Sequence, residues 1–476
     1  MFFLEKLVIK MKFFKQIDLT EGKPWKVILL FSIPILLSLI LSNAFSLINA
    51  LVLKVTVGGD SVTAINSTAS ISQILFNFAY GCSGGFAILL SSYFGKKDYD
   101  NLKMSFYNGL YLSIIVGLII TVLGLFIYED LIKLLNINEV YFYKAKDYYF
   151  IILFSFVLMV LANYLSNALR AIGDSSAPLV ISLSATVLNV LFAFLFTGLI
   201  KWDTRGVAIA TLLANLINVI VSVVYIHRKY EYLRIHRTNL KLDKGMSLHM
   251  LKLGLPLGLQ WSVLFVGSFV QSRTINGFGN GLATKAVSCY SPIEQYLCMP
   301  LHAMSSALLS YVAQNYGNND WARIRKGVKQ VVVVDICVYL VACLIGFILI
   351  DYAPYIFLPL EEVEDIVNGP IIKYYVSTYL TITIPFYILQ GLLTISRSIL
   401  QGVQRPSIPF ISGIGELFAR IFVCLVIPSL INPINPISNE SFIGVCFSTP
   451  FAWFVSVVIM GGSVIYFFKK NKAINI

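Results

Sequence analysis

Residues 27–53 read VILLFSIPILLSLILSNAFSLINALVL, a run of apolar side chains without a single charged residue. About 20 consecutive apolar residues are enough for an α-helix to cross the hydrocarbon core of a bilayer. Similar runs recur along all 476 residues, of which 57% are hydrophobic and only 13% are charged. A soluble domain carries about 25% charged residues. The sequence therefore predicts an all-α polytopic membrane protein and excludes a water-soluble enzyme of this size.

The apolar runs predict twelve transmembrane helices. Each run is long enough to cross a bilayer, and several exceed the minimum length, which allows the helix to tilt. The predicted limits are 27–53, 61–93, 105–127, 147–169, 177–199, 206–227, 252–277, 284–315, 328–350, 371–397, 408–430 and 442–468.

Motifs of several other function classes are missing from the sequence. The seven cysteines lie in apolar stretches without paired spacing, which indicates neither a disulfide framework nor a metal site. The four histidines form no His-Glu-x-x-His motif, and no phosphate-binding Gly-x-x-x-x-Gly-Lys motif occurs, so we expect no ATPase activity within this chain. No cofactor is predicted. No nucleic-acid partner is predicted either, because the net charge of +12 is concentrated at the ends of apolar runs, where positive charges orient a membrane protein.

Positive charges predict the orientation in the membrane. Most of the 36 lysines and arginines fall in the N-terminal segment, in the loops after even-numbered spans and in the C-terminal tail. Because cytoplasmic loops are enriched in Lys and Arg, we expect both termini to be cytoplasmic and the protein to lie in the cell membrane. Arg397 is counted here as a cytoplasmic residue at the end of the tenth span.

Lysines interrupt the apolar residues of 1–16, which predicts an interfacial stretch rather than a cleaved signal peptide.

The two halves of the chain repeat each other. Pro34 in the first span corresponds to Pro256 in the seventh, and at the same distance after each proline follow YFG at 93–95 and NYG at 315–317. Proline inside an apolar helix weakens the helix and permits a bend, so Pro34 and Pro256 are predicted helix hinges. Parallel repeats related by an axis along the membrane normal are known in secondary transporters. The repeat therefore favours a transporter whose two bundles rock about a central cleft.

This repeat predicts an N-lobe of helices 1–6 at 27–227 and a C-lobe of helices 7–12 at 252–468. Three cytoplasmic parts remain, an N-terminal segment at 1–26, a linker at 228–251 and a tail at 469–476. A channel or a membrane-embedded enzyme is the alternative from composition alone. Such enzymes usually need clustered His, Asp or Ser near one interface, which the sequence lacks, and channels more often assemble from several short subunits.

Several short motifs recur in a characteristic order along the chain. They are DLTEGKPWK (18–26), FSIP (31–34), GGDSVTAINSTASIS (58–72), SYFGKKDY (92–99), ALRAIGDSSAP (168–178), LKLGLPLGLQ (251–260), AQNYG (313–317), LQGVQRPSIPFISGIGEL (400–417) and TPFAW (449–453). Their order and spacing resemble the multidrug and toxic compound extrusion (MATE) family, from Asp18 to about residue 470. This resemblance implies twelve helices in two lobes, and export driven by a proton or sodium gradient, typically of organic cations. The expected partners are a small-molecule substrate and the lipid bilayer, and a monomer is expected.

The N-lobe departs from the family pattern at two places. In much of the family the first span carries a buried Asp followed by a Gly-Arg pair, and the matching residues here are Asn49 and the Lys-Val pair at 54–55. The fifth span of the family usually reads Asn-x-x-x-Asp-Pro, whereas here Asn189 is followed by Ala-Phe at 193–194. The usual cation site therefore lacks its carboxylates. Asn49 and Asn189 remain candidate hydrogen-bonding contacts for a substrate or water.

Charged residues inside the C-lobe spans are the candidate ion-coupling and substrate-binding residues, because a charge at membrane depth is costly. Glu294 is either a coupling carboxylate or a carboxyl fixed by Arg273 of the seventh span. Glu416 and Arg420 lie four residues apart on one helical face, which predicts either a structural ion pair or a gated pair that exchanges partners during transport. Gln271, two residues before Arg273, is a predicted polar contact.

Two other polar residues of the C-lobe spans have simpler expected roles. Asp335 lies early in the ninth span, and we expect it near the cytoplasmic interface. His302 is expected to pack between helices rather than to relay protons.

Three functions are consistent with the sequence. The first is a gradient-driven antiporter that exports small amphiphilic or cationic compounds by alternating access, with H⁺ or Na⁺ as the coupling ion. The second is a flippase for a lipid-linked or amphiphilic anion, which the additional cations Lys54 and Arg273 favour. The third is a non-transporting protein on a degenerate transporter scaffold, which the loss of the N-lobe carboxylates favours.

Overall fold

The computed structural model describes residues 16–134, 139–234, 242–353, 355 and 363–472, and this part of the chain is helical without strands. The first half contains α1 (Pro24–Thr56), α2 (Gly58–Ser67), α3 (Ala69–Gly95), α4 (Tyr99–Leu134), α5 (Glu139–Ala171), α6 (Ser176–Ala193) and α7 (Asp203–Lys229). The second half contains α8 (Lys244–Ile275), α9 (Leu282–Gly317), α10 (Trp321–Leu349), α11 (Val363–Thr383), α12 (Tyr387–Gly402), α13 (Ser407–Leu425), α14 (Ile427–Ile431), α15 (Asn439–Cys446) and α16 (Ser448–Lys472).

The predicted membrane-spanning architecture is confirmed. Within the described residues, eleven helical stretches are long and apolar enough to cross a membrane, and they coincide with eleven of the predicted spans. The eighth predicted span is α9, which has 36 residues and is therefore also long enough, but carries polar side chains such as those of Glu294 and His302. All twelve predicted spans are thus helical.

Prolines explain where some predicted spans are divided into two helices. The tenth span consists of α11 and α12, which are joined by a 3₁₀ turn at Ile384–Phe386 that contains Pro385. The eleventh span ends in the short helix α14, in which Pro428 lies in the first turn, where a missing N–H costs no hydrogen bond. Pro34 and Pro256 lie inside the continuous helices α1 and α8, so their role as hinges stays a prediction.

Two compact units make up the described chain. The first consists of the described residues of Met1–Lys23, Leu29–Ser262 and Ala313–Asp320, and the second of those of Pro24–Ile28, Val263–Val312 and Trp321–Ile476. Helix α8 contributes residues to both units. The predicted lobe limits, 27–227 and 252–468, stay a prediction. Residues 1–15 of the predicted N-terminal segment, 235–241 of the linker and 473–476 of the tail lie outside the described residues.

In the first unit, the repeated YFG and NYG motifs contact each other. A Cβ atom placed on Gly95 would overlap the backbone of Gln314, and one placed on Gly317 would overlap the backbone of Ser92. Each glycine is therefore required by the close approach of the other motif. This reciprocal contact gives a physical reason for the glycine that both copies of the repeat share.

In the first unit, the described N-terminal residues bind to the loop after α5 and to Gln314, which precedes the NYG motif. The Gln16 side chain donates from Nε2 to the carbonyl of Ile172 at 2.6 Å, and the Leu19 amide donates to Oε1 of Gln314 at 3.1 Å. Gln314 in turn donates from Nε2 to the carbonyl of Ala171 at 2.8 Å. Residues 16–19 therefore join the loop after α5 to the C-terminal end of α9.

A buried carboxylate fixes the start of α6. The Asp174 side chain is 2% exposed, and its Oδ1 accepts hydrogen bonds from the amides of Ser176 and Ala177. Its Oδ2 accepts from Nζ of Lys229 at 3.0 Å and from the hydroxyl of Tyr230 at 2.6 Å. Burial and the neighbouring Asp174 raise the pKa of Tyr230 above its ordinary value, so this hydroxyl stays protonated and donates.

Replacing Asp174 by Ala should lower the stability of the first unit strongly. Its removal takes the carboxylate away from Lys229, leaves the hydroxyls of Tyr225 and Tyr230 without their acceptor and leaves two amides of α6 without a cap, for an expected loss of about 3 kcal/mol. The control is Asp243→Ala, which removes an exposed cap of α8 that accepts from the Met246 amide at 2.6 Å, with an expected loss of about 1 kcal/mol. Thermal unfolding of the purified variants in detergent measures the difference, and equal shifts would contradict the role given to Asp174.

The second unit is built around α12, α13 and α16. Helix α13 packs against α16, α16 packs against α12, and α12 also contacts α10. A Cβ atom on Gly267 of α8 would lie 3.0 Å from Cδ of Arg420, so the absence of a side chain there makes room for the arginine on α13. In this arrangement polar side chains of α8, α13 and α16 meet one another, as do those of α12, α13 and α16.

Candidate functional site

Glu294 is held by a pair of stacked tyrosines in the second unit. The Tyr379 hydroxyl on α11 donates to Oε2 of Glu294 on α9 at 3.1 Å. The ring of Tyr379 stacks on the ring of Tyr290, with centroids 3.8 Å apart and an angle of 14° between the ring planes. Tyr290 precedes Glu294 by one helical turn, so the aromatic face and the carboxyl lie on the same side of α9. A carboxylate beside an aromatic surface is a suitable environment for an organic cation.

Arg420 joins a second polar group in the same unit. Its guanidinium donates to Oε1 of Gln271 on α8 and, at 3.0 Å, to the hydroxyl of Thr449 on α16. The Thr449 hydroxyl donates to the same oxygen of Gln271 at 3.0 Å, which closes a three-membered network. All three side chains are buried. We call the group around Glu294 and the network around Arg420, which both lie in the second unit, together the α9–α13 site.

The predicted ion pair between Glu416 and Arg420 is wrong. Oε1 of Glu416 accepts from Arg397 of α12 at 3.3 Å and from the hydroxyl of Ser456 on α16. Helical spacing places Glu416 and Arg420 on one face of α13, but each side chain finds a partner on neighbouring helices instead. Arg397 is only 7% exposed and lies inside α12, and its predicted position on the cytoplasmic side of the membrane stays a prediction. The Glu416–Arg397 pair thus lies one helical turn from Arg420 and forms a separate buried group.

Other predicted residues lie outside these contacts. Arg273 is exposed near the end of α8, and the hydrogen bond described for Glu294 comes from Tyr379 rather than from Arg273. His302 is half-buried on α9.

In the first unit, one of the two positions of the missing carboxylates, Ala193, is in apolar surroundings. Ala193 is 1% exposed and packs in a cluster with Leu53, Val207 and Ala210. A π-helical turn follows directly at Phe194–Leu199. The amide nitrogen of Asn189 donates to the Thr211 hydroxyl at 3.3 Å, whereas Oδ1 of Asn49 is buried without a hydrogen-bond partner in the described chain.

Thus Asn49 and Ala193 stand at the two positions where the family pattern has carboxylates, whereas Asn189 keeps the asparagine of that pattern. Lys54, the additional cation of the first span, is exposed. The ionisable groups of the predicted site are therefore those of the second unit.

Sequence reasoning missed Tyr379, Thr449, Arg397 and Ser456. The role of each can be seen only from a contact with a residue far away in the chain, such as the hydrogen bond of Tyr379 to Glu294. Arg397 carried a usable signal, because an arginine inside an apolar span needs a partner and no acid lies within four residues of it.

In the described chain, twelve helical spans with charged and aromatic side chains between them define a multi-pass helical membrane protein. The MatE family model matches residues 34–195 and 256–426. The chain is 25% identical over 318 residues to the probable multidrug resistance protein YoeA of Bacillus subtilis, covering 65% of this chain and 68% of that protein. It is also 22% identical over 432 residues to an FAD transporter of Shewanella oneidensis, covering 87% of this chain and 91% of that protein.

A solved structure with the same fold is the crystal structure of MATE in complex with MaL6. The TM-score is 0.83 at 18% sequence identity, and the match covers 96% of this chain and 99% of the other. This chain belongs to the MatE family. It is therefore a membrane transporter of that family, as the motifs quoted from its sequence imply.

Proposed function

We propose that this protein is a secondary active antiporter that exports small amphiphilic or cationic organic compounds from the cytoplasm. A proton or sodium gradient drives the transport by alternating access in the cell membrane, with both termini in the cytoplasm and no cofactor. The protein works as a monomer, and the predicted lobes 27–227 and 252–468 are its moving parts. The observation that carries the proposal is Glu294, a membrane-embedded carboxyl held against the stacked rings of Tyr290 and Tyr379.

The coupling mechanism follows from the electrostatics of the α9–α13 site. An organic cation and a coupling ion both stabilise the negative charge of Glu294, so the two compete for the same carboxyl. Arg420 lies in the same site and disfavours the simultaneous presence of two cations. The gradient can then drive export, because the coupling ion displaces the substrate on one side of the membrane and leaves on the other. The name of the Bacillus subtilis relative, a multidrug resistance protein, supports this direction of transport.

An amphiphilic anion is the second candidate substrate. Arg420 forms its hydrogen bonds with the neutral groups of Gln271 and Thr449, and Arg273 and Lys54 are exposed cations. The similarity to a protein named FAD transporter favours an anionic substrate in the same way. A third reading, a degenerate scaffold without transport, predicts ligand binding without exchange across the membrane.

Transport by the purified protein in liposomes distinguishes these candidates. The vesicles contain either ethidium, an aromatic cation, or FAD, an aromatic anion, and a pH gradient and a sodium gradient are imposed separately. We expect efflux of ethidium under one of the two gradients and none in vesicles without protein. Gradient-driven efflux of FAD alone would favour the anion carrier. Binding of either compound without efflux or counterflow would support the degenerate scaffold and refute the antiporter.

A further inference from the structure

Asp335 is a buried acid that the α9–α13 site does not use. It lies near the middle of α10, about 20 Å from the first residue of that helix at 1.5 Å per residue. Only 5% of the residue is exposed. The side chain is directed toward α12, and its expected position near the cytoplasmic interface stays a prediction.

Among the described residues, Asp335 has no ion-pair partner. A Cβ atom on Gly391 of α12 would overlap Oδ2 of Asp335, so this carboxyl oxygen lies directly against the backbone of α12. The side chain of Leu301 lies beside the same glycine. Oδ1 is buried and has no hydrogen-bond partner in the described chain. None of the titratable or charged side chains described on the neighbouring helices has a described hydrogen bond or ion pair with Asp335. They are Lys285, Cys289, Tyr290, Glu294, Tyr296, Cys298, His302, Tyr311 and Tyr316 on α9, Lys373, Tyr374, Tyr375 and Tyr379 on α11, and Tyr387 and Arg397 on α12.

An unpaired charge in this position needs an explanation. A charged Asp at membrane depth costs about 2.5–3.5 kcal/mol even on insertion scales, and a buried polar atom without a partner commonly marks a functional group or an ion. A metal cation does not fit, because hard cations take several oxygen ligands. The described residues contain no group of three His, Cys, Asp or Glu side chains that could hold a metal ion. A proton needs only the one carboxyl.

We propose that Asp335 is a second proton-binding site, separate from Glu294, and that its occupancy controls the contact between α10 and α12. With a proton bound, the neutral acid fits against the backbone at Gly391. When the proton leaves, the carboxylate requires water or a cation, which the close contact at Gly391 excludes. Loss of the proton therefore opens the contact between the two helices. The inference rests on the proposed function, since it gives a proton-driven antiporter a second point at which proton binding changes helix packing.

Infrared difference spectroscopy of the purified protein tests the site itself. We expect the wild-type protein to show the C=O stretch of a protonated carboxylic acid at neutral pH, and Asp335→Asn to lose one such band. The matched control is Asp351→Asn on the exposed segment directly after α10, where the carboxylate is 73% exposed and pairs with Lys373 at 3.0 Å. This control should keep the band. Identical acid bands in wild type and Asp335→Asn at every pH would overturn the proposal.

Two further variants test the consequence for packing and transport. Gly391→Ala places a methyl group where Oδ2 lies, so it should shift the frequency of the Asp335 band. Asp335→Asn should keep the thermal stability of the wild type, because the amide mimics the neutral acid, but should lower efflux driven by a pH gradient about tenfold. An unchanged pH profile of transport in Asp335→Asn would overturn the coupling role. If the wild-type protein transports nothing under any gradient, the proposed function fails, whereas the infrared band still decides whether Asp335 binds a proton.

Discussion

Glu294→Gln is expected to reduce gradient-driven efflux by about 100-fold, the upper range of a coupling free energy between two ligands. The amide keeps the shape of the side chain and can still accept the hydrogen bond of Tyr379, so the fold should not change. It cannot bind a proton as the carboxylate does, and it offers a cation no charge. Both the coupling ion and a cationic substrate therefore lose their shared partner. Efflux of ethidium from proteoliposomes measures the loss.

Two other variants separate the charge of Glu294 from its packing. Tyr379→Phe removes the donor to Glu294 but keeps the ring that stacks on Tyr290, so we expect a decrease of about fivefold. Glu440→Gln changes an exposed acid at the start of α15 and should leave transport unchanged. Full gradient-driven efflux by Glu294→Gln would show that the coupling carboxyl lies elsewhere in the chain.

The fold was predictable because membrane insertion leaves a strong signal in local sequence. The bilayer core offers no water to the backbone, so an apolar run such as 27–53 must form all its backbone hydrogen bonds within one helix. The length and hydrophobicity of the run are therefore enough to identify a span. The eighth span shows where this signal weakens, since α9 carries polar residues such as Glu294 and His302 within its apolar run. The reciprocal contact of Gly95 and Gly317 in the first unit explains why the repeat includes these glycines.

The partners in the site were much less predictable. Spacing along α13 suggested that Glu416 binds Arg420, because i,i+4 neighbours face the same side of a helix. Both residues point into the second unit, where each meets side chains of other helices that compete better for its hydrogen bonds. Such long-range contacts are not encoded in local periodicity. By contrast, the missing N-lobe carboxylates could be recognised from the sequence, and Ala193 indeed lies in an apolar cluster.

Arg397→Met should destabilise the second unit by about 3–5 kcal/mol, because it leaves the carboxylate of Glu416 buried without a charged partner. Arg397 and Glu416 are 7% and 3% exposed, so water cannot replace the lost interaction. The double variant Arg397→Met/Glu416→Met should recover most of this loss, since apolar residues of similar volume often replace a buried pair without cost. Chemical denaturation in mixed micelles measures all three free energies of unfolding.

The same double variant decides what the pair does. The double variant is expected to be nearly as stable as the wild type without the ion pair. A transport defect in this variant therefore cannot be attributed to unfolding and reports on the function of the pair. Ser456 donates to Glu416 and lies close to Ser412, so the group extends from α12 across α13 to α16. If the pair only holds these helices together, the double variant exports ethidium at the wild-type rate. If Glu416 exchanges partners during transport, the double variant is stable but inactive. Because Glu294 remains intact in it, such a defect would belong to Glu416 and Arg397 and not to the α9–α13 site.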